Sequence, residues 1–457
     1  MGLFRSLGIP LFFLIGILGC GTTDYNYLYK NFPSNPPYGP TKESLLEKAQ
    51  KFEKNLDFFI APQGHLIYYR IHPKTPRPKN GELGNLADCP FWTGALIMAE
   101  TFRYLVTHSP QAVQRARQLL RGLHLLFDVS NRPGLLARAL DVGQGRNPYE
   151  GNHPDWRQGE GKYSSYRYKG DVSKDQYIGA ITGYLTAYTY LPLSKKEKEG
   201  IRKRVLQVAE FLTRNEFQII DIHGEPTTFG DLRPRIYGVP IYLNGLFDFL
   251  VLLFARRLDP ENPLYQRIWK NFFRWKYHRI LKFSKFQFLG NTNPNNDNMA
   301  FFCYFGLNLL LAKPESKEEK LLLREVKKSM DYLWSFVKSE GNSFWNFIYC
   351  GIRKKVPRAI QDAIWNLKLY PPTTKGYSVD HRHIKAIERR FWPGRKGREQ
   401  SKYALPLPMR GLSSFIWKSS PYDLVGPETP GIIYSGTDYL IAYWLGRYYG
   451  FIPSKTL

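Results

Sequence analysis

Acidic residues stand at the starts of the most apolar helical segments of the chain. Asp88 precedes Pro90, Asp175 opens the run DQYIGA, and Asp297 opens DNMAFF. If these helices run parallel, their carboxylates meet at one end of the fold. Two carboxylates on opposite sides of a sugar can hydrolyse a glycosidic bond, one as general acid and the other as general base. We therefore predict Asp88, Asp175 and Asp297 as candidate catalytic residues.

Each of these carboxylates also has a purely structural interpretation. An Asp at a helix N-terminus accepts hydrogen bonds from free backbone N–H groups and interacts favourably with the helix dipole. For any one residue alone, capping is the simpler explanation. The neighbouring amides, aromatic rings and Arg138 favour sugar binding, because rings stack on aromatic faces and a guanidinium suits a carboxylate or sulfate. The predicted substrate-binding residues are Trp92, Arg138, His153, Trp156, Tyr177 and Asn298.

Residues suited to metal binding are sparse. His381 and His383 alternate as on a strand, so both are expected to face the same way, but no third ligand is evident. Cys89, Cys303 and Cys350 lie outside any CxxC or Cys/His spacing. We predict no metal site and no cofactor. With Cys20 near the N-terminus set apart, these three cysteines allow at most one disulfide among themselves, so at least one of their thiols is expected to stay free and buried.

The helical pattern separates into two classes. Hydrophobic periodicity indicates about eleven or twelve helical segments and few strands. Segments with almost no charge must be buried, whereas segments with one charged face must contact water. The first class comprises residues 90–106, 175–191, 241–255, 297–312 and 436–450. The second comprises residues 110–127, 194–215 and 316–339.

The two classes alternate along the chain as hairpins with short turns, which indicates antiparallel neighbours. Buried helices inside and amphipathic helices outside predict an all-α fold with small β inserts, an (α/α)6-type toroid. The alternative is a stacked solenoid of helix pairs, against which stand the irregular spacing and the long inserts. These inserts are 131–171, 218–235 and 370–433. Glycines that allow close contact between buried helices are Gly94, Gly179, Gly183 and Gly306.

One of the inserts contains a shorter pattern. Residues 221–231 alternate polar and apolar side chains around His223-Gly224. This alternation is typical of a β-hairpin that follows an outer helix. A position at the rim of the cleft is an equally good interpretation.

The first 20 residues have the pattern of a targeting segment and are not expected to be part of the folded domain. Arg5 precedes an apolar run of about ten residues, which is too short to cross a bilayer. The run ends at Ile17-Leu18-Gly19-Cys20, which resembles a bacterial lipobox whose Cys is lipidated; a plain secretory signal with a chance Cys is the alternative. The predicted organisation is a signal peptide (1–19), a flexible tether (20–41) and one toroid domain (42–457). The predicted location is the cell envelope, at a bacterial outer or periplasm-facing membrane.

Composition narrows the choice of partners. The net charge is +26, and 16% of the residues are aromatic, which suits anionic partners and a cleft with flat faces. Nucleic acid is disfavoured because the charge is spread over the outer helices and no binding motif is present. The expected partners are a carbohydrate, which can be anionic, and a membrane through a lipid on Cys20. The expected state is a monomer.

Several motifs together resemble one superfamily: DCPFWTGALIMAE, RPGLLARAL, SKDQYIGAITGYLTAY, DIHGEPTTFGD, NPNNDNMAFF and TDYLIAYWLGRYYG. Over about residues 45–450 the chain resembles the six-hairpin glycosidase-like superfamily, and more narrowly its uncharacterised bacterial secreted or lipoprotein members. The resemblance implies an (α/α) toroid. Across the superfamily it implies glycoside hydrolases, unsaturated uronyl hydrolases, polysaccharide lyases or epimerases. This chain has Phe229 where relatives tend to have Trp, and Asn295-Asn296-Asp297-Asn298 where they have His-Ser-Asp-Asp.

Three functions are compatible with these residues. The first is a glycoside hydrolase in which Asp88 and Asp175 form the pair, with Asp297 as a substitute for either. The second is a polysaccharide lyase, which needs Tyr or His as the base and Arg or Asn beside a uronate. The third is a non-catalytic surface lipoprotein that binds a glycan or host matrix through the same groove.

Overall fold

The computed structural model describes residues 43–71, 78–84, 86–141, 155–285, 293–390, 399–412, 415–427 and 431–454. The predicted signal peptide, tether and Cys20 lie outside these residues. Within them, no helix combines the length and the apolar character that crossing a bilayer requires.

Twelve α-helices form an inner and an outer layer in the described part of the chain. The outer helices are α1 (Leu45–Phe59), α3 (Pro110–Asp128), α5 (Lys195–Arg214), α7 (Pro263–Arg274), α9 (Lys317–Val337) and α11 (Pro357–Lys368). The inner helices are α2 (Cys89–Thr107), α4 (Lys174–Tyr190), α6 (Tyr242–Leu258), α8 (Pro294–Leu310), α10 (Ser343–Ile352) and α12 (Thr437–Tyr448).

The inner helices close into a ring. Helix α2 contacts α4, α4 contacts α6 and α8, and the sequence of contacts continues through α8, α10 and α12 back to α2. A solenoid leaves its first and last repeats apart, so the contact between α12 and α2 excludes it. The predicted (α/α)6 toroid is confirmed.

Each outer helix packs on the inner helix next to it in sequence, and α1 packs on α12. The burial patterns follow the predicted classes. In α5 the buried residues recur at helical spacing along one face, whereas in α2 they run without interruption through the first fourteen positions. Helix starts are marked by Ser194, whose side chain and Glu197 form a capping box at α5, and by proline in the first turn of α3, α7, α8 and α11.

The strands are short and belong to the connections between helices. Two three-stranded antiparallel sheets have the orders β14-β1-β2 and β3-β5-β4, and the remaining strands form pairs. Their bounds are β1 (Tyr69–Ile71), β2 (Pro78–Leu83), β3 (Ala139–Leu140), β4 (Trp156–Gln158), β5 (Arg167–Lys169), β6 (Gln218–Ile220), β7 (Pro226–Asp231), β8 (Arg235–Ile236), β9 (Val239–Pro240), β10 (Val379–Asp380), β11 (Arg389–Arg390), β12 (Gln400–Ser401), β13 (Val425–Gly426) and β14 (Ile432–Ile433). The predicted hairpin at 221–231 is confirmed as β6 paired with β7.

One expectation about the last long insert is wrong. Strand β10 ends at Asp380, so His381 and His383 lie in a turn and do not share a face. His381 is buried with Nε2 2.7 Å from the Met409 carbonyl oxygen, whereas His383 is exposed. Among the residues that the structure describes, no group of three His, Cys, Asp or Glu side chains could hold a metal ion. Cys89, Cys303 and Cys350 are all free and buried.

The contact between α2 and α4 is exceptionally close because glycines face each other across it. A Cβ atom on Gly94 would lie 2.0 Å from the Gly179 carbonyl oxygen, and one on Gly179 would lie 2.4 Å from the Phe91 Cα. Gly183 meets the Gly94 Cα in the same way, at 2.7 Å. The predicted role of these glycines is confirmed. Their contact sets the N-terminal ends of α2 and α4, and with them Asp88 and Asp175, side by side.

We expect Gly179→Ala to lower the free energy of unfolding by about 1–3 kcal/mol, because the new methyl group must displace backbone atoms rather than a mobile side chain. This loss should appear although Ala has the higher helix propensity. Thermal unfolding followed by circular dichroism measures it. Gly431→Ala is the control, because a Cβ there meets nothing within 4 Å. Wild-type melting of the Gly179 variant would contradict the account.

Candidate active site

A cavity of about 610 Å³ opens where the inner helices α2, α4 and α8 begin. Asp88 and Asp175 both line it, so the N-terminal ends of at least three inner helices point to one end of the ring. The cleft that the sequence predicts therefore exists, with two of its three candidate acids in it. The other polar residues of the wall are Arg138, Ser173, Lys174, Asn293, Asn295, Asn296 and Lys418.

Asp88 occupies the N-cap position of α2 but makes no capping hydrogen bond with its side chain. Its carboxylate instead forms an ion pair with Lys418 Nζ and accepts a hydrogen bond from Gln176 Nε2 at 3.3 Å. The Asp88 side chain remains partly exposed to the cavity. The capping interpretation is therefore wrong for Asp88, whose carboxylate faces the ligand space.

Asp175 lies in the first turn of α4 and is 8% exposed. The Ser173 hydroxyl donates a hydrogen bond to its Oδ1, and Arg138 Nη2 donates to the same hydroxyl at 3.0 Å. Arg138 also donates through Nε to the carbonyl oxygen of Ala87 at 3.0 Å. Arg138 thus braces the segments that carry the two acids, besides lining the cavity as the sequence predicts.

Two lysines complete the electrostatics of the cavity. Burial lowers the pKa of Lys418, but the charges of Asp88 and Asp175 outweigh it, so the pKa lies above its ordinary value. Lys174 Nζ donates to Asn244 Oδ1 at 3.0 Å. Burial lowers the pKa of Lys174, and neighbouring carboxylates oppose this effect. Neither lysine was predicted as a site residue.

Aromatic rings form another part of the wall. Tyr68 and Tyr434 line the cavity with ring centroids 5.2 Å apart, and Phe229 on β7 is 64% exposed beside it. Both interpretations of residues 221–231 therefore hold, because β7 is part of a hairpin and also carries Phe229 on the rim of the cleft. Trp92 is buried and stacks on Phe415, with centroids 3.7 Å apart. Trp92 supports the wall from behind and does not line the cavity, contrary to its predicted role in binding.

The third candidate acid lies elsewhere. Asp297 is 1% exposed and does not line the cavity, whereas the asparagines that precede it do. Its charge acts instead on the buried Tyr242 and Tyr304. Asn298 is equally buried, and its Oδ1 accepts a hydrogen bond from Trp345 Nε1 at 3.1 Å. The expectation that Asp297 and Asn298 share the cleft is wrong.

Two further predicted binding residues have structural roles, and one lies outside the described residues. The Tyr177 hydroxyl is buried, donates to the Gly134 carbonyl oxygen at 2.9 Å and accepts from the Leu136 N–H at 3.0 Å. Trp156 is buried in the sheet of the first insert. Neither residue lines the cavity. His153 is not among the described residues.

A loop of residues 415–421, which we call the Lys418 loop, brings Lys418 to the site. Asp438 of α12 holds this loop: its Oδ2 accepts from the Ile416 N–H at 2.5 Å, and its carbonyl oxygen accepts from Trp417 Nε1 at 2.5 Å. Tyr370 donates to the other carboxylate oxygen. Burial raises the pKa of Asp438 to about 6. Asp438 therefore positions Lys418 from behind the cavity wall.

No family model matches this chain, and no curated protein matches it. One similar solved structure is an Asp-to-Asn variant of UGL with dGlcA-Glc-Rha-Glc, at 15% identity and a TM-score of 0.41, over 88% of this chain and 96% of that chain. Another is the unsaturated glucuronyl hydrolase of Bacillus sp. GL1, responsible for the degradation of glycosaminoglycan, at 14% identity with the same coverage and TM-score. The likeness is distant and assigns no activity to this chain.

We expect Asp438→Ala to loosen the Lys418 loop, because the Ile416 N–H loses its acceptor. Hydrogen–deuterium exchange should become faster in peptides that cover the loop and stay unchanged in the outer helices. Asp331→Ala is the matched control, since it removes a carboxylate that binds Arg353 elsewhere. Should Asp438→Ala not fold, Asp438→Asn keeps one acceptor oxygen and should give an intermediate rate. Unchanged exchange in the loop would show that Asp438 does not hold it.

Proposed function

We propose that this protein is a glycoside hydrolase that acts on an anionic oligosaccharide or polysaccharide through Asp88 and Asp175. One observation carries the proposal: both carboxylates line the same cavity, around the same lysine. Most glycoside hydrolases use a pair of carboxylates as their catalytic residues. Asn293, Asn295 and Asn296 provide donors and acceptors for sugar hydroxyls.

The two acids have different partners in the cavity. Asp88 accepts hydrogen bonds from Lys418 and Gln176, and Asp175 accepts one from the Ser173 hydroxyl. In the proposed reaction, one of these carboxylates takes a proton from the water that attacks the anomeric carbon. The other, in its protonated form, gives a proton to the glycosidic oxygen as the bond from that oxygen to the anomeric carbon breaks.

The charge of the wall indicates an anionic substrate. Three cationic side chains, Arg138, Lys174 and Lys418, face two carboxylates, so the ionised groups sum to +3 − 2 = +1. A uronate or a sulfate on the substrate would balance this excess. Electrostatic attraction of this kind also raises the rate at which charged ligands reach a cleft.

The cavity offers less support for a lyase. Tyr68 lines the cavity and is the kind of residue that could abstract a proton alpha to a uronate. Burial, with help from neighbouring groups, raises the pKa of Tyr68 well above its ordinary value. A phenol of this kind stays protonated at neutral pH and is a poor base.

The lipobox-like Ile17-Leu18-Gly19-Cys20 supports a further part of the proposal, in which the enzyme is tethered to a membrane of the cell envelope. The segment between Cys20 and α1 then separates the cavity from the lipid. Stable attachment takes two signals, such as two acyl chains or one acyl chain with a basic patch.

We expect Asp88→Asn and Asp175→Asn each to lower kcat by at least about 10²-fold, because each removes one proton-transfer group. The assay is release of reducing ends from a panel of uronate-containing and sulfated oligosaccharides, with circular dichroism to verify folding. Asp57→Asn is the control, since the Asp57 carboxylate lies on α1 and is largely exposed. Full turnover in both cavity variants would refute the proposal. A rise in the ultraviolet absorbance of an unsaturated uronate would instead indicate a lyase.

Esterifying the substrate carboxylate should raise KM at least about tenfold with a smaller effect on kcat, because the wall loses its ionic partner. The difference between the two substrates should shrink at high ionic strength. Initial rates on a matched pair of free and methyl-esterified oligosaccharides measure both effects. Equal KM values would show that the positive wall does not select the substrate.

A further inference from the structure

A second surface of the molecule concentrates positive charge and aromatic rings. From Asn262 to Asn296 the sequence contains no acidic residue and seven basic ones. The segment includes α7 and the residues that follow it. In a chain with 39 acidic residues, a segment of this length with basic residues alone favours an anionic partner.

An aromatic ring and two cations at the end of α7 are exposed to solvent. Trp275, directly after α7, is 51% exposed, and its ring centroid lies 5.6 Å from that of Tyr277. Arg274 and Lys276 on either side are exposed and have no ion-pair partner within the described chain. The half-exposed indole therefore lies between two cations and beside a second ring, an arrangement that allows stacking and ionic contacts with one ligand.

The β8–β9 hairpin contributes to the same surface. Tyr237 at its tip is 97% exposed, the highest value among the exposed large hydrophobic residues of the described chain. Its φ of 49° and that of Gly238, 80°, place both turn residues in the left-handed region, where Asn and Gly are preferred. Arg235 of the hairpin interacts electrostatically with Tyr277, so the hairpin lies close to the end of α7.

This surface lies at the same end of the ring as the cavity. The hairpin leads directly into the start of α6, and inner helices start at the cavity end. Helix α7 runs back beside α6 and finishes at that end, with Trp275 as its C-cap. Strand β7, which carries Phe229 on the cavity wall, is connected to β8 by only three residues. The exposed rings of Tyr237 and Trp275 therefore lie at the end of the ring where the cavity opens.

We propose that Tyr237 and Trp275, with Arg235, Arg274 and Lys276, form an accessory surface that binds an anionic polysaccharide chain as it enters the cavity. The proposal rests on the proposed function of that cavity and adds that the substrate is a polymer. Rings stack on sugar faces while the cations bind uronate or sulfate groups. An anionic bilayer fits the surface less well, because a membrane docked here would cover the mouth of the cavity.

Binding to polygalacturonate and to heparin tests the proposal without turnover. The mature full chain carrying Asp175→Asn is compared with the same chain carrying Tyr237→Ala and Trp275→Ala in addition. We expect the added changes to weaken the Kd for one or both polymers at least about tenfold. The Kd for a disaccharide of the same sugar should change less than about twofold. Trp365→Ala in the same background is the control, since Trp365 lies on α11 and is 37% exposed, and it should leave both values unchanged.

Equal polymer affinity with and without the two rings would overturn the proposal, as would equal losses for polymer and disaccharide. A loss of binding to phosphatidylglycerol vesicles while polymer binding is retained would assign the surface to a membrane instead. In the enzyme with Asp175 intact, the two changes should raise KM for the polymer and leave the shortest cleaved substrate unaffected. The proposed function fails separately, through full turnover in Asp88→Asn and Asp175→Asn.

Discussion

The contact between α2 and α4 is the constraint on which the site depends. Gly94, Gly179 and Gly183 let two inner helices touch through their backbones, and the ends of these helices carry Asp88 and Asp175. A side chain at any of the three positions would push the helices apart and separate the acids. The ring fixes the same ends from the other side, because α12 also packs on α2. The proposed catalytic pair thus arises from helix packing, since both acids lie at the starts of helices that contact each other.

Around this pair, charge balance organises the rest of the cavity. Lys418 forms an ion pair with Asp88 and interacts electrostatically with Asp175. Arg138 donates hydrogen bonds both to the backbone beside Asp88 and to the serine that binds Asp175. Taking a charge out of water is costly unless partners compensate it. The three cations and two carboxylates compensate one another only in part, and the remaining positive charge is left for a ligand.

Much of the fold follows from local patterns in the sequence. The inner helices α2, α4 and α8 carry few charged residues, and their alternation with amphipathic helices in hairpins is sufficient to predict the closed ring. The short helices are harder to predict: α10 has ten residues, and an apolar run of that length does not distinguish a helix from a buried strand by its period.

The predicted binding residues show a second limit of prediction from the sequence. Trp92 and Tyr177 lie on helices without a continuous charged face, so the sequence does not indicate which of their side chains reach the cavity and which reach the core. Lys418 shows a third, since it contacts Asp88 across 330 residues from the last long insert, whose described strands have only two residues each.

The central claim is that Asp88 and Asp175 act on opposite sides of one sugar linkage. The most direct measurement is a crystal structure of the Asp175→Asn variant soaked with an anionic oligosaccharide that the wild-type enzyme cleaves. We expect the scissile linkage to lie between the Asp88 carboxylate and the new amide, with the uronate or sulfate of the substrate beside Lys418 and Arg138. A glycan bound away from Asp88, or in the cavity with its linkage out of reach of both residues, would contradict it.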